Sequence, residues 1–242
     1  MSRKSQKNWF QNLAHEDPFL LLFISLIVFY LGAPLIRALA GGQHTLLSDS
    51  VIAILFMTFM LTAIFTVSKT RRSKVIGIAF AIPVGILSAG QILTETAVAE
   101  FMYQALAISY LCYAIVLIMK YVFDQQPVIA NKIFAALCVY LLISLVWALL
   151  YAMIELLQPN SFIYVLAQQQ DTVKMAFGHG DTAIAIYYSL VTMTTLGYGD
   201  IAPANEVART FASMQAVIGQ LYIAVLIARL VGLHASQNSS AS

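Results

Sequence analysis

The chain has 242 residues, of which 60% are apolar and 10% charged, and its formal net charge is +2. Soluble domains are about a quarter charged and under half apolar. Together with a mean hydropathy of +0.82, this excludes a soluble globular domain, a disordered chain and a nucleic-acid binder, and leaves a polytopic membrane protein.

A helix crosses about 30 Å of hydrocarbon with roughly 20 apolar residues. Six runs approach that length: 18–40, 51–67, 75–93, 101–123, 133–157 and 207–233. The basic start, the first run and Ala38-Leu39-Ala40 mimic a cleaved signal peptide, but the run is long and Arg37 precedes the site. A retained signal-anchor helix is expected. Pro34 and Pro83 suggest kinks. Cys112 and Cys138 sit inside apolar runs and build no disulfide framework.

Basic residues set the orientation. Arg3, Lys4, Lys7, Lys69, Arg71, Arg72, Lys74, Lys120, Lys132 and Arg229 fall on one side of a six-span chain. The cluster from Lys69 to Lys74 reads as a loop. The other side receives Arg37, Lys174 and Arg209 among Asp49, Glu95, Glu100, Asp171 and Asp181. The positive-inside rule then places both termini in the cytoplasm, and a multi-pass chain in the cell's inner or plasma membrane is expected. Arg229 is expected to snorkel to lipid headgroups.

Between the fifth and sixth spans, residues 182–194 are apolar but too short to cross. They read as a re-entrant or buried helix, with Asp181 as its N-cap. Its C-terminal end near Thr194 would carry partial negative charge toward an inner cavity. His179, just before it, reads as a solvated loop histidine.

Residues 187–203 run Tyr-Tyr-Ser-Leu-Val-Thr-Met-Thr-Thr-Leu-Gly-Tyr-Gly-Asp-Ile-Ala-Pro. Gly197 and Gly199, one residue apart, allow a backbone that alternates between negative and positive φ. Such a backbone aims consecutive carbonyls at one axis, with Leu196 and Tyr198 pointing away and wedging against surrounding protein. Thr195 adds its hydroxyl. Rings of such oxygens replace the water shell of a dehydrated cation. One chain supplies one segment, so a closed ring requires a symmetric homo-oligomer, most simply C4.

The run Thr194-Thr195-Leu196-Gly197-Tyr198-Gly199-Asp200 resembles the selectivity filter of the potassium-channel superfamily, in its single-pore-loop, six-span form. The resemblance covers about residues 181–234. It implies an all-α membrane protein with six transmembrane helices, a re-entrant pore helix and a filter loop, assembled as a homotetramer in the lipid bilayer. It also implies K+ coordination by the carbonyls of Thr195, Leu196, Gly197, Tyr198 and Gly199, with Asp200 just outside. Thr194 would support the filter from the helix side. Tyr187 and Tyr188 stand where many relatives have two tryptophans, which leaves open whether Tyr187 bonds Asp200. Val191 stands where some carry a buried glutamate. Glu155 matches a glutamate that bonds backbone near the outer pore. Gly219 lies twenty residues beyond Gly199 and matches a hinge glycine, with close helix packing as the other reading.

The implied division is a cytoplasmic start at 1–17, a four-helix module at 18–124, a pore domain at 131–234 and a cytoplasmic tail at 235–242. In voltage-gated relatives the fourth span carries repeated arginines. Here its one basic residue is Lys120, at the inner end. Passive, potassium-selective conduction without steep voltage sensitivity is expected, with no enzyme chemistry and no cofactor beyond permeant K+. The first four spans are either a packing module or the receiver of a gating lipid, small molecule or partner. Two other classes share the pattern in part: a subunit of a coupled potassium transporter, and a non-conducting regulatory membrane subunit.

Overall fold

A computed structural model describes residues 17–40, 45–67, 70–94, 96–124, 130–164, 173–174 and 182–239. Six helices in it are long and apolar enough to cross a membrane. They are α1 (Pro18–Leu39), α2 (Leu46–Val67), α3 (Arg71–Thr94), α4 (Ala97–Val122), α5 (Ala130–Leu157) and α7 (Glu206–Ser239). The short helix α6 (Thr182–Met193) lies between the last two.

Several helices begin before their apolar runs because polar residues cap them. Thr45 and Ser48 bond reciprocally, Ser48 N to Thr45 Oγ1 at 3.2 Å and Thr45 N to Ser48 Oγ at 3.1 Å. This starts α2 ahead of the expected residue 51. Thr70 and Ser73 repeat the device at α3. Arg71, Arg72 and Lys74 therefore lie in the opening turns of a helix rather than in a loop. Asn205 Oδ1 accepts from Ala208 N at 2.8 Å and opens α7. That helix runs on to Ser239, past the expected limit near 233, because polar residues continue a helix that hydropathy no longer marks. Pro34 and Pro83 lie inside α1 and α3.

The all-helical expectation needs one correction. Three short strands, β1 (Phe162–Tyr164), β2 (Val173–Lys174) and β3 (Ile201–Pro203), form an antiparallel sheet in the order β2-β1-β3. Strands of two and three residues carry no period that a sequence could display.

The most deeply packed of the six long helices is α5, with half of its most apolar stretch buried. It contacts α1 and α4 on one side and α6 and α7 on the other. Tyrosine hydroxyls cross-link the helices through backbone carbonyls: Tyr30 to Leu141 at 2.7 Å, Tyr110 to Met60 at 2.6 Å and Tyr222 to Ala136 at 2.7 Å. With no water in a bilayer core, such partners are what a buried hydroxyl requires. Phe29, Phe56 and Phe59 fill the centre of the four-helix module with rings 5.5–6.2 Å apart.

Candidate functional site

The site grows from the C-terminal end of α6. Thr194 N donates to Leu190 O at 3.0 Å and Thr195 N to Thr192 O at 3.0 Å. The chain then folds back, so that Leu196 N and Gly197 N both reach Val191 O, at 3.0 and 3.4 Å. Tyr140 of α5 donates its hydroxyl to Met193 O at 3.1 Å. The last carbonyls of α6 are thus largely taken up by the turn that follows. Val191, offered as the stand-in for a glutamate, contributes this backbone oxygen while its side chain is buried.

The expected alternation is present and extends one step further than the glycines. Gly197 has φ +56°, Gly199 φ +78°, and Thr195 φ +57°. Every second residue from 195 to 199 is therefore left-handed. A left-handed β-branched residue costs roughly 1–2 kcal/mol. Local bonds hold Thr195 there: its hydroxyl donates to Thr194 O at 2.6 Å and accepts from Gln220 Nε2 at 3.4 Å.

Leu196 is 55% and Tyr198 67% exposed. Within one chain more than half of each side chain is left uncovered. The strip Thr194–Gly199 is exposed throughout. So is an apolar row on α7 that includes Met214, Val217, Leu221 and Val225.

The tyrosine pair splits its work. Tyr187 donates to Asp200 Oδ2 at 2.7 Å, and Asp200 Oδ1 accepts from Ile201 N at 3.0 Å. Tyr188 is buried edge-on against Tyr151 and Phe162, at 5.0 and 5.2 Å. Phe162 belongs to β1, which pairs with β3 just beyond Asp200, Phe162 opposite Pro203 and Tyr164 opposite Ile201. The small sheet ties the exit of the strip to the end of α5.

Glu155 is 4% exposed. Its Oε1 accepts from Asn160 N at 2.6 Å and its Oε2 from Ser161 N at 2.8 Å. That turn, with Asn160 at φ +67°, feeds directly into β1, and Ser161 O accepts from Ala204 N at 2.7 Å. The carboxylate therefore orders the backbone that flanks the strip.

Gly219 has a packing reason. A Cβ there would stand 2.5 Å from the carbonyl oxygen of Met193, so α7 approaches the end of α6 as closely as it does only without a side chain. Helix α7 is unbroken across it.

One expectation for a basic residue is corrected. Arg229 does not reach outward: its Nη2 donates to the carbonyls of Phe123 and Asp124 at 2.6 and 3.1 Å, and its guanidinium lies 4.9 Å above the Phe123 ring. Lys132 is buried and donates to Asp124 O at 2.8 Å. Both cations cap the C-terminal end of α4, where orphan carbonyls and the helix dipole favour positive charge. Asp181 and His179 lie outside the described residues.

Sequence reasoning missed Gln215, Ser189, Ser144 and Tyr151, which meet behind the strip. Gln215, one of two amides in the apolar run 207–233 with Gln220, carried the available signal, because polar groups at membrane depth are costly unless they serve a purpose.

A family model described as an ion channel matches residues 128–234, a stretch that contains α5, α6, the strip and most of α7. No curated protein and no solved structure matches the chain. The family match and the six apolar helices together support an ion channel in a membrane.

Proposed function

We propose that the chain is one subunit of a homotetrameric, potassium-selective channel that conducts K+ passively. The observation that carries this reading is the left-handed alternation at Thr195, Gly197 and Gly199 on an exposed strip between a short helix and a long apolar one. Carbonyls of Thr195, Leu196, Gly197, Tyr198 and Gly199 from four copies would stack as rings that replace the hydration shell of K+. The exposure of Leu196 and Tyr198 supports the same reading, since neighbouring copies are what would cover them. Thr194, Val191, Tyr187, Tyr188, Asp200 and Glu155 support the strip from behind and outside.

In this reading α6 is a re-entrant pore helix, residues 131–234 are the pore domain and residues 18–124 are a four-helix module without a steep voltage sensor. Both termini face the cytoplasm of a cell-membrane protein. Gly219 serves packing between the pore helix and the inner helix in preference to a hinge.

The test is the reversal potential of purified protein in a planar bilayer with K+ on one side and Na+ on the other. The expected value lies near the potassium equilibrium potential. A current that does not separate the two ions overturns the reading. Gly197→Ala puts a Cβ on a left-handed residue, and Tyr198→Asp removes the filter tyrosine. Each should lower selectivity or abolish current, and unchanged selectivity in both would remove the strip from the conduction site.

A further inference from the structure

Behind the strip, three helices share polar groups that no solvent reaches. Gln215 of α7, Ser189 of α6 and Ser144 of α5 are all 0% exposed. Gln215 Nε2 donates to Ser189 O at 3.0 Å and to Ser189 Oγ at 2.7 Å, and Gln215 Oε1 accepts the Tyr151 hydroxyl at 2.5 Å. The Ser189 hydroxyl donates onward to Ser144 O at 2.6 Å, with Ser144 Oγ 3.1 Å away.

The amide has one workable orientation. Turned over, it would set its oxygen against the Ser189 carbonyl and its NH2 against the Tyr151 hydroxyl, and the pairing with the carbonyl would be lost. As oriented, both of its N–H groups and its oxygen are used. A fully satisfied buried network of this kind specifies one arrangement, because any displacement strands polar atoms away from water.

The network also stands in register with the glycine contact. Gln215 meets Ser189, and four residues on, Gly219 meets Met193. Helices α6 and α7 therefore touch at matching positions one turn apart. The apolar contacts between them would tolerate a small rotation of α6, whereas the hydrogen bonds would not. Residues 189–193 lead straight into the strip, and the Val191 carbonyl within them accepts the amides of Leu196 and Gly197. A turn of α6 would carry that anchor, and the carbonyls it aims, with it.

We infer that Gln215 is a positioning residue of the conduction site. It fixes the height and rotation of the pore helix against the inner helix, and through the pore helix the spacing of the carbonyls at 195–198. The inference rests on the channel reading above and adds to it the residue that sets how sharply the strip discriminates between cations.

Two variants test it, with tetramer content and the K+ to Na+ permeability ratio as readouts. Gln215→Leu removes the whole amide. Tyr151→Phe removes one hydroxyl and keeps the ring that packs on Phe162 and Tyr188. At wild-type tetramer content, Gln215→Leu should lower the permeability ratio about tenfold, the factor equivalent to one ordinary hydrogen bond. Tyr151→Phe should lower it about threefold, half that free energy. A purely structural role would change tetramer content and leave the ratio of the surviving channels untouched, so an unchanged ratio in both variants overturns the inference. If Gln215→Leu does not assemble, an unchanged ratio in Tyr151→Phe overturns it alone. A wild-type protein without potassium-selective current overturns the channel reading and the inference with it. A selective wild type beside unaltered variants overturns the inference only.

Discussion

One hydrogen bond between Tyr187 and Asp200, 2.7 Å long and thirteen positions apart, closes a loop that contains the whole left-handed strip. The second carboxylate oxygen of Asp200 holds Ile201 N, so one side chain is shared between the helix before the strip and the strand after it. Tyr187→Phe keeps the ring and removes the bond. A hydrogen bond to a charged group contributes about 1.5–3 kcal/mol when buried, and partial exposure of Tyr187 reduces that. The expected outcome is a tetramer that still selects potassium but whose current declines several-fold faster under steady driving. Equal decline rates in wild type and variant would show that the bond does not restrain the strip.

The two glycines of α7 give a paired prediction. A Cβ at Gly219 meets the Met193 carbonyl oxygen at 2.5 Å, while a Cβ at Gly232 meets nothing within 4 Å. Gly219→Ala must push α7 from α6, and overpacking of this kind costs about 1–3 kcal/mol. Gly232→Ala should be neutral or stabilising by roughly 0.5–1 kcal/mol, because alanine suits a helix better. Thermal unfolding of the two purified variants separates them. If Gly219→Ala is as stable as wild type but gates differently, Gly219 acts as a hinge and not as a contact.

Hydropathy alone locates all six long helices and the short one, because length and apolarity are all that a bilayer demands of a span. The strip is legible as well, since the spacing of Gly197 and Gly199 states a backbone requirement directly. What escapes is what depends on neighbours. Thr45 and Thr70 set helix starts that hydropathy does not register. The left-handed Thr195 runs against the preference of its residue type and follows from the turn that holds it. Strands β1 and β3 join residues about forty positions apart. Arg229 reads as a snorkelling cation until α4 is seen to end beneath it.

Glu155 links the end of α5 to the sheet beside the strip, and its two oxygens hold two successive backbone amides. Glu155→Gln presents an NH2 to one of those amides. A buried donor left without an acceptor costs about 1–3 kcal/mol. The variant should unfold at lower temperature, and protease should cut first within the turn at residues 158–161. A wild-type melting profile with the turn intact would mean that the turn is ordered by β1–β3 pairing alone.

The distribution of charge in the four-helix module predicts a shallow response to voltage. Each elementary charge that crosses the membrane field contributes about 2.3 kcal/mol per 100 mV. Among the described residues of α1–α4, the charged ones sit in the end turns. Arg37 pairs with Asp49 where α1 ends and α2 begins. Arg71, Arg72 and Lys74 open α3, Glu100 lies in the first turn of α4 and Lys120 in its last. The end of α4 is moreover held by Arg229 of α7 and Lys132 of α5, which join it to those two helices rather than free it to slide. Open probability should therefore change by less than about e-fold per 25 mV, the slope of a single gating charge. A conductance–voltage curve steeper than that would require charges to move that this arrangement keeps at the helix ends.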